Sequence, residues 1–267
     1  MVRVVVSGIC GRMGGMVARS IEEAHDLALV GGLEMPGHPG VGRKLCEHWG
    51  EGAIELIVTE RLADLTRESY DVIVDFSAPP QAVACAEHAS RDGAGLVIGT
   101  TGLTEIELAA IQTASARSPI VVAPNTSLGI NLLFGLLRQA SERLDADFDV
   151  EIVEEHHRGK RDAPSGTAAR LVEVVAEARG VVSSEVVRLG RAGPDTLRDR
   201  GEIGVHSVRA GSIVGRHTVH MASDAEQVVL AHEAFDRRAF ARGAAHAIRF
   251  VAGRKPGLYD MQDVLGL

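Results

Sequence analysis

Two adjacent histidines, His156 and His157, are followed three positions later by Lys160 and then by Asp162-Ala163-Pro164-Ser165-Gly166-Thr167. An imidazole with its unperturbed pKa of about 6.5 can take or give a proton near neutral pH. A neighbouring ammonium can donate a proton or hold an anion. His157, Arg158, Lys160 and Arg161 crowd basic groups into one loop of a chain whose formal net charge is -8. Of its 28 Lys and Arg residues only three, Lys44, Lys160 and Lys255, are Lys. A lysine kept at position 160 therefore points to proton donation or compact charge pairing, which a permanently charged guanidinium does less well. The chemistry on offer is acid/base catalysis beside an anion site.

The elements that must position these groups are legible on both sides of the loop. Phe148, Val150 and Ile152 alternate with Asp149, Glu151 and Val153, the period-2 pattern of a strand with one buried face, and that strand ends at the histidines. Beyond the loop Ser165 stands at a helix N-cap, with Leu171, Val174, Val175 and Ala178 at helical spacing and Gly180 as the stop. The first helical amides, of Gly166 and Thr167, have no intrahelical partner, and Gly166 has no side chain to block approach. The helix start is a natural seat for a carboxylate or phosphate. A histidine pair at a strand end is also an ordinary surface or interface feature. No third metal ligand stands at recognisable spacing, so no metal is expected. Ser165 reads better as a cap than as an acyl-transfer nucleophile.

A second constellation opens the chain. Val2-Arg3-Val4-Val5-Val6 is a buried-strand run that passes into Gly8-Ile9-Cys10-Gly11-Arg12-Met13-Gly14, spelling G-x-x-G-x-x-G. Met13, Met16, Val17, Ser20, Ile21 and Ala24 then mark a helix face. Strand, glycine turn and helix stand in the order of a dinucleotide fingerprint, in which glycines let the backbone approach a pyrophosphate. The next strand, Leu27 to Leu33, ends at Glu34, 20 positions beyond Gly14, where an acid can accept hydrogen bonds from ribose hydroxyls. Residues 36–52 read as a surface loop near the adenosine end, with Trp49 as a packing anchor.

Strand and helix keep alternating. Tyr70 to Phe76 reads as a strand, with a helix starting in Ser77-Ala78-Pro79-Pro80. Gly95 to Ile98 leads into Gly99-Thr100-Thr101-Gly102, and Thr104 with Glu107 forms a capping box for a helix to about Ala116. Ile120 to Ala123 runs into Pro124-Asn125-Thr126-Ser127. Strand ends rich in Gly, Thr and Asn are where an open parallel sheet binds its ligand.

A long helix with Ile130, Leu133, Leu137, Ala140 and Leu144 on one face then carries the chain out of this domain. Apolar strand runs follow around Val186 to Leu189, Ile203 to Val208, Ile213 to Val214, His217 to Met221 and Gln227 to His232. Clustered strands with one helix predict an open mixed or antiparallel sheet, one face of which an oligomer interface would cover. Glu233 to Gly253 reads as a final helix. The fold class is α/β: a Rossmann-like parallel-sheet domain plus an α+β domain.

Length and composition set the bounds. The 267 residues suit one large or two modest domains, and 45% hydrophobic content can fill a core. No run approaches the roughly 18 apolar residues of a membrane helix and no signal-peptide pattern opens the chain, so a cytoplasmic protein with no membrane partner is expected. Three cysteines, Cys10, Cys46 and Cys85, make no disulfide framework. The net negative charge disfavours nucleic acid as a partner.

The segment E-x-H-H-R-x-K-x-D-A-P-S-G-T-A, residues 154–168, resembles the signature of the 4-hydroxy-tetrahydrodipicolinate reductase (dihydrodipicolinate reductase) family. Gly8, Ile9, Cys10, Gly11, Arg12 and Met13 resemble that family's cofactor loop. Gly99-Thr100-Thr101 and Ala123-Pro124-Asn125-Thr126 resemble its two nicotinamide-side segments. The likeness continues through F-A-x-G-A and G-L-Y-D-M-Q-D-V-L near the C-terminus, so it covers essentially the whole chain.

The resemblance implies NAD(P)H-dependent reduction of 4-hydroxy-tetrahydrodipicolinate to tetrahydrodipicolinate with loss of water, in lysine biosynthesis through diaminopimelate. It makes His156 the acid/base residue and Lys160 a proton donor that also pairs with the substrate. His157, Ser165, Gly166 and Thr167 bind a substrate carboxylate. It further implies a dinucleotide-binding domain from 1–126 and 237–267, a substrate-binding and tetramerisation domain over 127–236, a homotetramer, and closure of the catalytic loop over the nicotinamide. Many relatives carry a basic residue after the acid of the second strand, where it can meet the 2'-phosphate of NADPH. Here that residue is Met35, so NADH is expected to be the preferred cofactor and NADPH the lesser one. Arg216 and His206 are further departures, in the sheet region. Two other readings stay open: a reductase of another cyclic imine or imino acid, and a non-catalytic NAD-binding paralogue that senses redox state.

Overall fold

The computed structural model describes residues 1–45, 55–64 and 69–267; Cys46 and Trp49 lie outside the described residues. Contacts divide the chain into two units, Met1–Leu128 with Arg237–Leu267, and Gly129–Asp236.

Val4, Val5 and Val6 show how the first unit is built. Side chains alternate across a strand, so a strand covered on both faces reads as an unbroken apolar run. Val4 and Val6 join one cluster with Val17, Ala18 and Ile21, and with Ala244, Ala247, Ile248 and Val251. Val5 joins a second cluster with Ile73, Ala82, Cys85, Ala86, Ala89 and Ile111. Burying each such aliphatic side chain fully is worth about 1.5–3 kcal/mol.

The elements of this unit are β1 (Val2–Ser7), α1 (Arg12–Glu22), β2 (Leu27–Leu33), β3 (Val58–Thr59), β4 (Val72–Asp75), α2 (Pro79–Asp92), β5 (Gly95–Ile98), α3 (Glu105–Ser115) and β6 (Pro119–Val122). Among the described residues the sheet has seven strands in the order β12-β6-β5-β4-β1-β2-β3, where β12 is Gly257–Tyr259. Its pairings are parallel. β1 lies between β2 and β4, so the strand order reverses there and the carboxyl ends of β1 and β4 open the crevice typical of doubly wound sheets. The Thr104 capping box forms as expected: the Glu107 amide donates to the Thr104 hydroxyl at 3.3 Å, and the Thr104 amide to the Glu107 carboxylate at 2.7 Å.

The second unit holds α4 (Leu128–Arg143, all but its first residue), β7 (Asp149–His156), α5 (Gly166–Arg179), the short α6 (Ser183–Val186), β8 (Val187–Leu189), β9 (Ile203–Arg209), β10 (Gly215–Ala222) and β11 (Gln227–Ala234). Its sheet runs β11-β10-β7-β9-β8. β10 is antiparallel to β7 and β11, while β9 is parallel to β7 and β8. The sheet is mixed, as expected. Ile130, Leu133, Phe134 and Leu137 of α4 and Leu171, Val172, Val174 and Val175 of α5 pack on Val150, Ile152, Ile203, Val205, Val219 and Met221. The opposite face, with Glu151, Val153, Glu155, Thr218 and His220, is only partly shielded.

Two element expectations are corrected. Ile213 and Val214 form no strand: they follow the turn at Gly211 and Ser212 and lead into β10, which starts at Gly215. The last long helix, α7, spans Arg238–Val251 rather than starting at Glu233, because Glu233 and Ala234 are drawn into the ladder opposite Arg216 and Gly215. After α7 the chain adds β12 beside β6, then α8 (Met261–Leu265). Gly243 fits α7 against the Thr126 backbone: a Cβ there would lie 1.6 Å from the Thr126 carbonyl oxygen. The Thr126 hydroxyl donates to the Phe240 carbonyl at 2.7 Å.

Candidate active site

The period of β7 brings Val150, Ile152, Glu154 and His156 onto the face packed by α4 and α5. Register then gathers their partners. Glu154 lies opposite His217 on β10 and Ser207 on β9, and His156 lies opposite Arg209 on β9. The Nδ1 atom of His156 is 2.5 Å from Oε2 of Glu154. Arg209 donates to Oε1 of Glu154 at 2.7 Å and to the carbonyl of Asp162 at 2.6 Å. A slip of one residue would turn all of these side chains to the other face.

Burial works to raise the pKa of Glu154, but hydrogen bonds from Arg209, Ser207 and His156 outweigh it and hold the carboxyl below its ordinary value. Burial depresses His156 more than the Glu154 carboxylate restores it, so the ring is neutral near pH 7. His217 is pushed down to about 3, first by burial and then by neighbouring His156. The two rings meet edge to face with centroids 5.2 Å apart. Nε2 of His217 lies 3.1 Å from the Ser165 hydroxyl, which also accepts the Ala168 amide at 3.2 Å and so caps α5.

The adjacent histidines therefore part company. His156 ends the strand on its buried face, whereas His157 begins the loop and is half-buried. Lys160 holds Asp162 through both carboxylate oxygens, at 2.7 and 2.9 Å. Ser165 is buried and its oxygen is engaged, while a Cβ on Gly166 would meet nothing within 4 Å. The space where a Gly166 side chain would stand is thus open, with Thr167 next along the helix. Arg209, Glu154 and His217 are site residues that the sequence reading did not single out. The signal was there for two of them, since Glu154 and His217 are polar residues at the buried phase of alternating strands.

The first unit assembles the nucleotide-type loops. Gly8 has φ +75° and a Cβ there would lie 2.5 Å from the Phe76 carbonyl oxygen; a Cβ on Gly14 would lie 2.1 Å from the Gly8 carbonyl oxygen. The amides of Gly8 and Ile9 donate to the Leu33 carbonyl, and that of Gly11 to the Gly8 carbonyl. The Ile9 side chain is buried in the core. The first amides of α1, from Arg12 and Met13, have no intrahelical partner, and such a helix start favours an anion. This tight turn at a helix start fits a pyrophosphate. Glu34 lies beside it, accepting the Cys10 amide at 3.1 Å and the Met35 amide at 3.0 Å.

The other strand ends converge on Asp75, which is fully buried at the end of β4. The Thr100 hydroxyl donates to it at 2.5 Å, the Ser77 hydroxyl also bonds it, and the Ser77 amide donates to Thr100 at 2.9 Å. Burial raises the Asp75 pKa against these hydrogen bonds. Gly99 leaves room for the Phe76 ring, 2.1 Å from where a Cβ would be. Thr101 and Pro124 are exposed, Ala123 and Thr126 are buried, and the Asn125 side chain accepts the Ser127 amide at 3.0 Å.

Among the described residues two groups bring metal-type ligand atoms within 4.8 Å of one another: Cys10, Glu34 and His38, and Glu154, His156 and His217. In the second, both Glu154 oxygens are engaged and Arg209 supplies the positive charge, so it is a hydrogen-bonded network. In the first, burial and Glu34 push the Cys10 thiol up to about 11. No described helix is long and apolar enough to cross a membrane.

Comparison with known proteins agrees along the whole chain. The family model described as dihydrodipicolinate reductase, N-terminus, matches residues 2–126, and that described as dihydrodipicolinate reductase, C-terminus, matches residues 129–265. A protein named 4-hydroxy-tetrahydrodipicolinate reductase from Methanothermobacter thermautotrophicus is 45% identical over 100% of both chains. One of the same name from Rubrobacter xylanophilus is 46% identical over 99% of this chain and 98% of its own. The solved structure of a dipicolinate-bound dihydrodipicolinate reductase from Paenisporosarcina sp. TG-14 aligns with TM-score 0.79 at 26% identity, covering 98% of each chain. With a tight glycine turn in one unit, a buried His-Glu pair beside a lysine loop in the other, and family matches to both halves, the chain belongs to the dihydrodipicolinate reductase family.

Proposed function

We propose that this chain reduces 4-hydroxy-tetrahydrodipicolinate to tetrahydrodipicolinate with loss of water, consuming NAD(P)H and one proton, as a step of lysine biosynthesis through diaminopimelate. The observation that carries this reading is the full-length likeness to reductases of that name, with the His156–Lys160 loop intact. A nicotinamide bound at the first unit's crevice supplies the hydride.

The chain's own residues divide the remaining work. Loss of water needs a group that takes a proton and one that gives a proton to the leaving hydroxyl. Neutral His156, with Nδ1 committed to Glu154, offers Nε2 as the acceptor, and the proton it takes returns to the substrate when hydride addition leaves an electron pair to be protonated. The Lys160 ammonium is the donor and pairs with a substrate carboxylate, exchanging its present partner Asp162. His157 and the amides of Gly166 and Thr167 hold a carboxylate at the start of α5, which the Ser165 cap keeps in place.

Gly8 to Met13 form the pyrophosphate turn, Glu34 takes the ribose hydroxyls, and the segments 99–101 and 123–126 line the nicotinamide side. Glu34 followed by the exposed Met35 presents an anion with no basic neighbour in sequence, so NADH is preferred over NADPH. The chain assembles as a homotetramer through the partly shielded face of the second unit's sheet, which light scattering at micromolar concentration would test.

Consumption of NADH with freshly generated substrate tests the activity. Turnover should fall at least about a hundredfold in His156→Gln and in Lys160→Ala, the range for removing a general acid or base. A protein that binds NADH but turns over neither cofactor would overturn the reading.

A further inference from the structure

We propose that Glu154 and Arg209 are a positioning pair for His156: Glu154 locks the proton on Nδ1, leaving Nε2 as the working atom, and Arg209 fixes which way Glu154 points. This deepens the acid/base reading of His156 and rests on it only for the effect on rate. Neither residue needs to touch substrate.

The geometry is specific. An ionised carboxylate has acceptors and no donor, so its 2.5 Å contact obliges Nδ1 of His156 to carry the hydrogen. A guanidinium has donors and no acceptor, so Arg209 takes the other oxygen, Oε1, at 2.7 Å. The pair sits between strands in register, Glu154 and His156 on β7 with Arg209 on β9. The same Arg209 nitrogen donates to the Asp162 carbonyl at 2.6 Å, tying the buried carboxylate to the loop that carries Lys160. At the far side of the ring a Cβ on Gly215 would lie 3.1 Å from Nε2, so glycine at that position leaves room around the working nitrogen. The charged and titratable groups facing His156 are Glu154 from its own strand, Lys160 from the loop, Arg209 from β9 and His217 from β10, with His232 of β11 acting on His217.

The arrangement makes an unusual demand on Glu154→Gln. Arg209 would hold the carbonyl oxygen of the new amide, so its NH2 would face Nδ1. A donor there can be met only by an unprotonated Nδ1, and the proton must move to Nε2. Nitrogen-15 NMR of histidine-labelled protein reads this directly, independently of turnover. The expected result is an Nδ1-protonated His156 in wild type and an Nε2-protonated one in Glu154→Gln. kcat/KM should fall by up to about 10⁴-fold, as when the carboxylate that fixes an acid/base imidazole's tautomer becomes its amide, and the acid limb of the pH profile should move to lower pH because the anion that raises the ring's pKa is gone.

Adding Arg209→Met should free the amide to turn its oxygen toward Nδ1 and return the wild-type tautomer, a rescue that a merely structural role would not produce. Should Glu154→Gln fail to fold, Arg209→Met alone serves. Its carboxylate, stripped of the guanidinium, would protonate at higher pH, and the His156 signals would follow that titration. An unchanged tautomer in Glu154→Gln, no rescue in the double variant, or His156 signals in Arg209→Met that titrate as in wild type would each overturn the pair. A tautomer that switches with no loss of reductase rate would support the pair and sink the catalytic role of His156 instead.

Discussion

The Ser165 hydroxyl and Nε2 of His217 lie 3.1 Å apart, joining the cap of α5 to the first half of β10. The contact links helix α5 to the strand beside Glu154, and it has a consequence for acid stability. His217 has a folded pKa of about 3, whereas the unfolded chain takes up this proton near pH 6.5. Below about 6.5 the unfolded state binds a proton that the folded state refuses, so this group's contribution is whole above 6.5 and fades as pH falls toward 3. A His217→Gln variant, able to keep a hydrogen bond to Ser165, should lose less melting temperature than wild type between pH 7 and pH 4. Parallel losses in thermal melts would refute the assignment.

Cofactor choice should follow from one position. Met35 is 66% exposed, and the Glu34 carboxylate is turned back onto the Cys10 and Met35 amides. Replacing Met35→Arg places a guanidinium where a 2'-phosphate would lie, and a charge-assisted hydrogen bond of about 1.5–3 kcal/mol corresponds to roughly a tenfold or greater gain for NADPH. Comparing kcat/KM for the two cofactors measures it; an unmoved ratio would place the ribose elsewhere.

Gly166 offers a test of the anion seat that spares the fold. A Cβ there meets nothing within 4 Å, and alanine favours a helical position by about 0.5–1 kcal/mol. Gly166→Ala should therefore melt no lower than wild type while raising KM for the dicarboxylate, since its methyl intrudes on the side from which a carboxylate would approach. An unchanged KM would remove Gly166 from the binding residues.

Gly204 is constrained by charge. A Cβ there would lie 1.9 Å from Oε2 of Glu151, whose oxygens hold Arg191 at 2.6 Å, Arg198 at 3.1 Å and His206 at 2.7 Å. Gly204→Ala must push the carboxylate aside and weaken its hold on both arginines, which keep their bonds to Glu202. Residues 190–202 should then become more sensitive to trypsin at Arg191 and Arg198, with wild-type cleavage rates as the disconfirming outcome. His206 thus serves this ion-pair network.

Local physics is why so much could be read from the chain. The βαβ order around Gly8 to Gly14, the Thr104 capping box, the Ser165 cap, the alternation of β7 and the stop at Gly180 all depend on neighbours within a few positions, and they appear where the residue types put them. Family likeness supplied what spacing does not, the reaction and the role proposed for Lys160. Where local signals ran past an element they failed for a tertiary reason: Glu233 and Ala234 look helical by sequence, but strand β10 offers them a ladder.

The sequence by itself determined the two constellations of chemistry, the doubly wound order of the first unit and a second unit of clustered strands; the structure decided that its sheet is mixed. Only the tertiary structure decided which of the adjacent histidines is buried, that Glu154 and Arg209 hold it, that His217 meets Ser165 across 52 positions, and that β12 completes the first sheet beside β6. These relations depend on strand register and on chain return. A hydrogen bond between β7 and β9 is set by which residues face each other after some fifty intervening ones have folded, as with Glu154 and Arg209, and no local propensity carries that information.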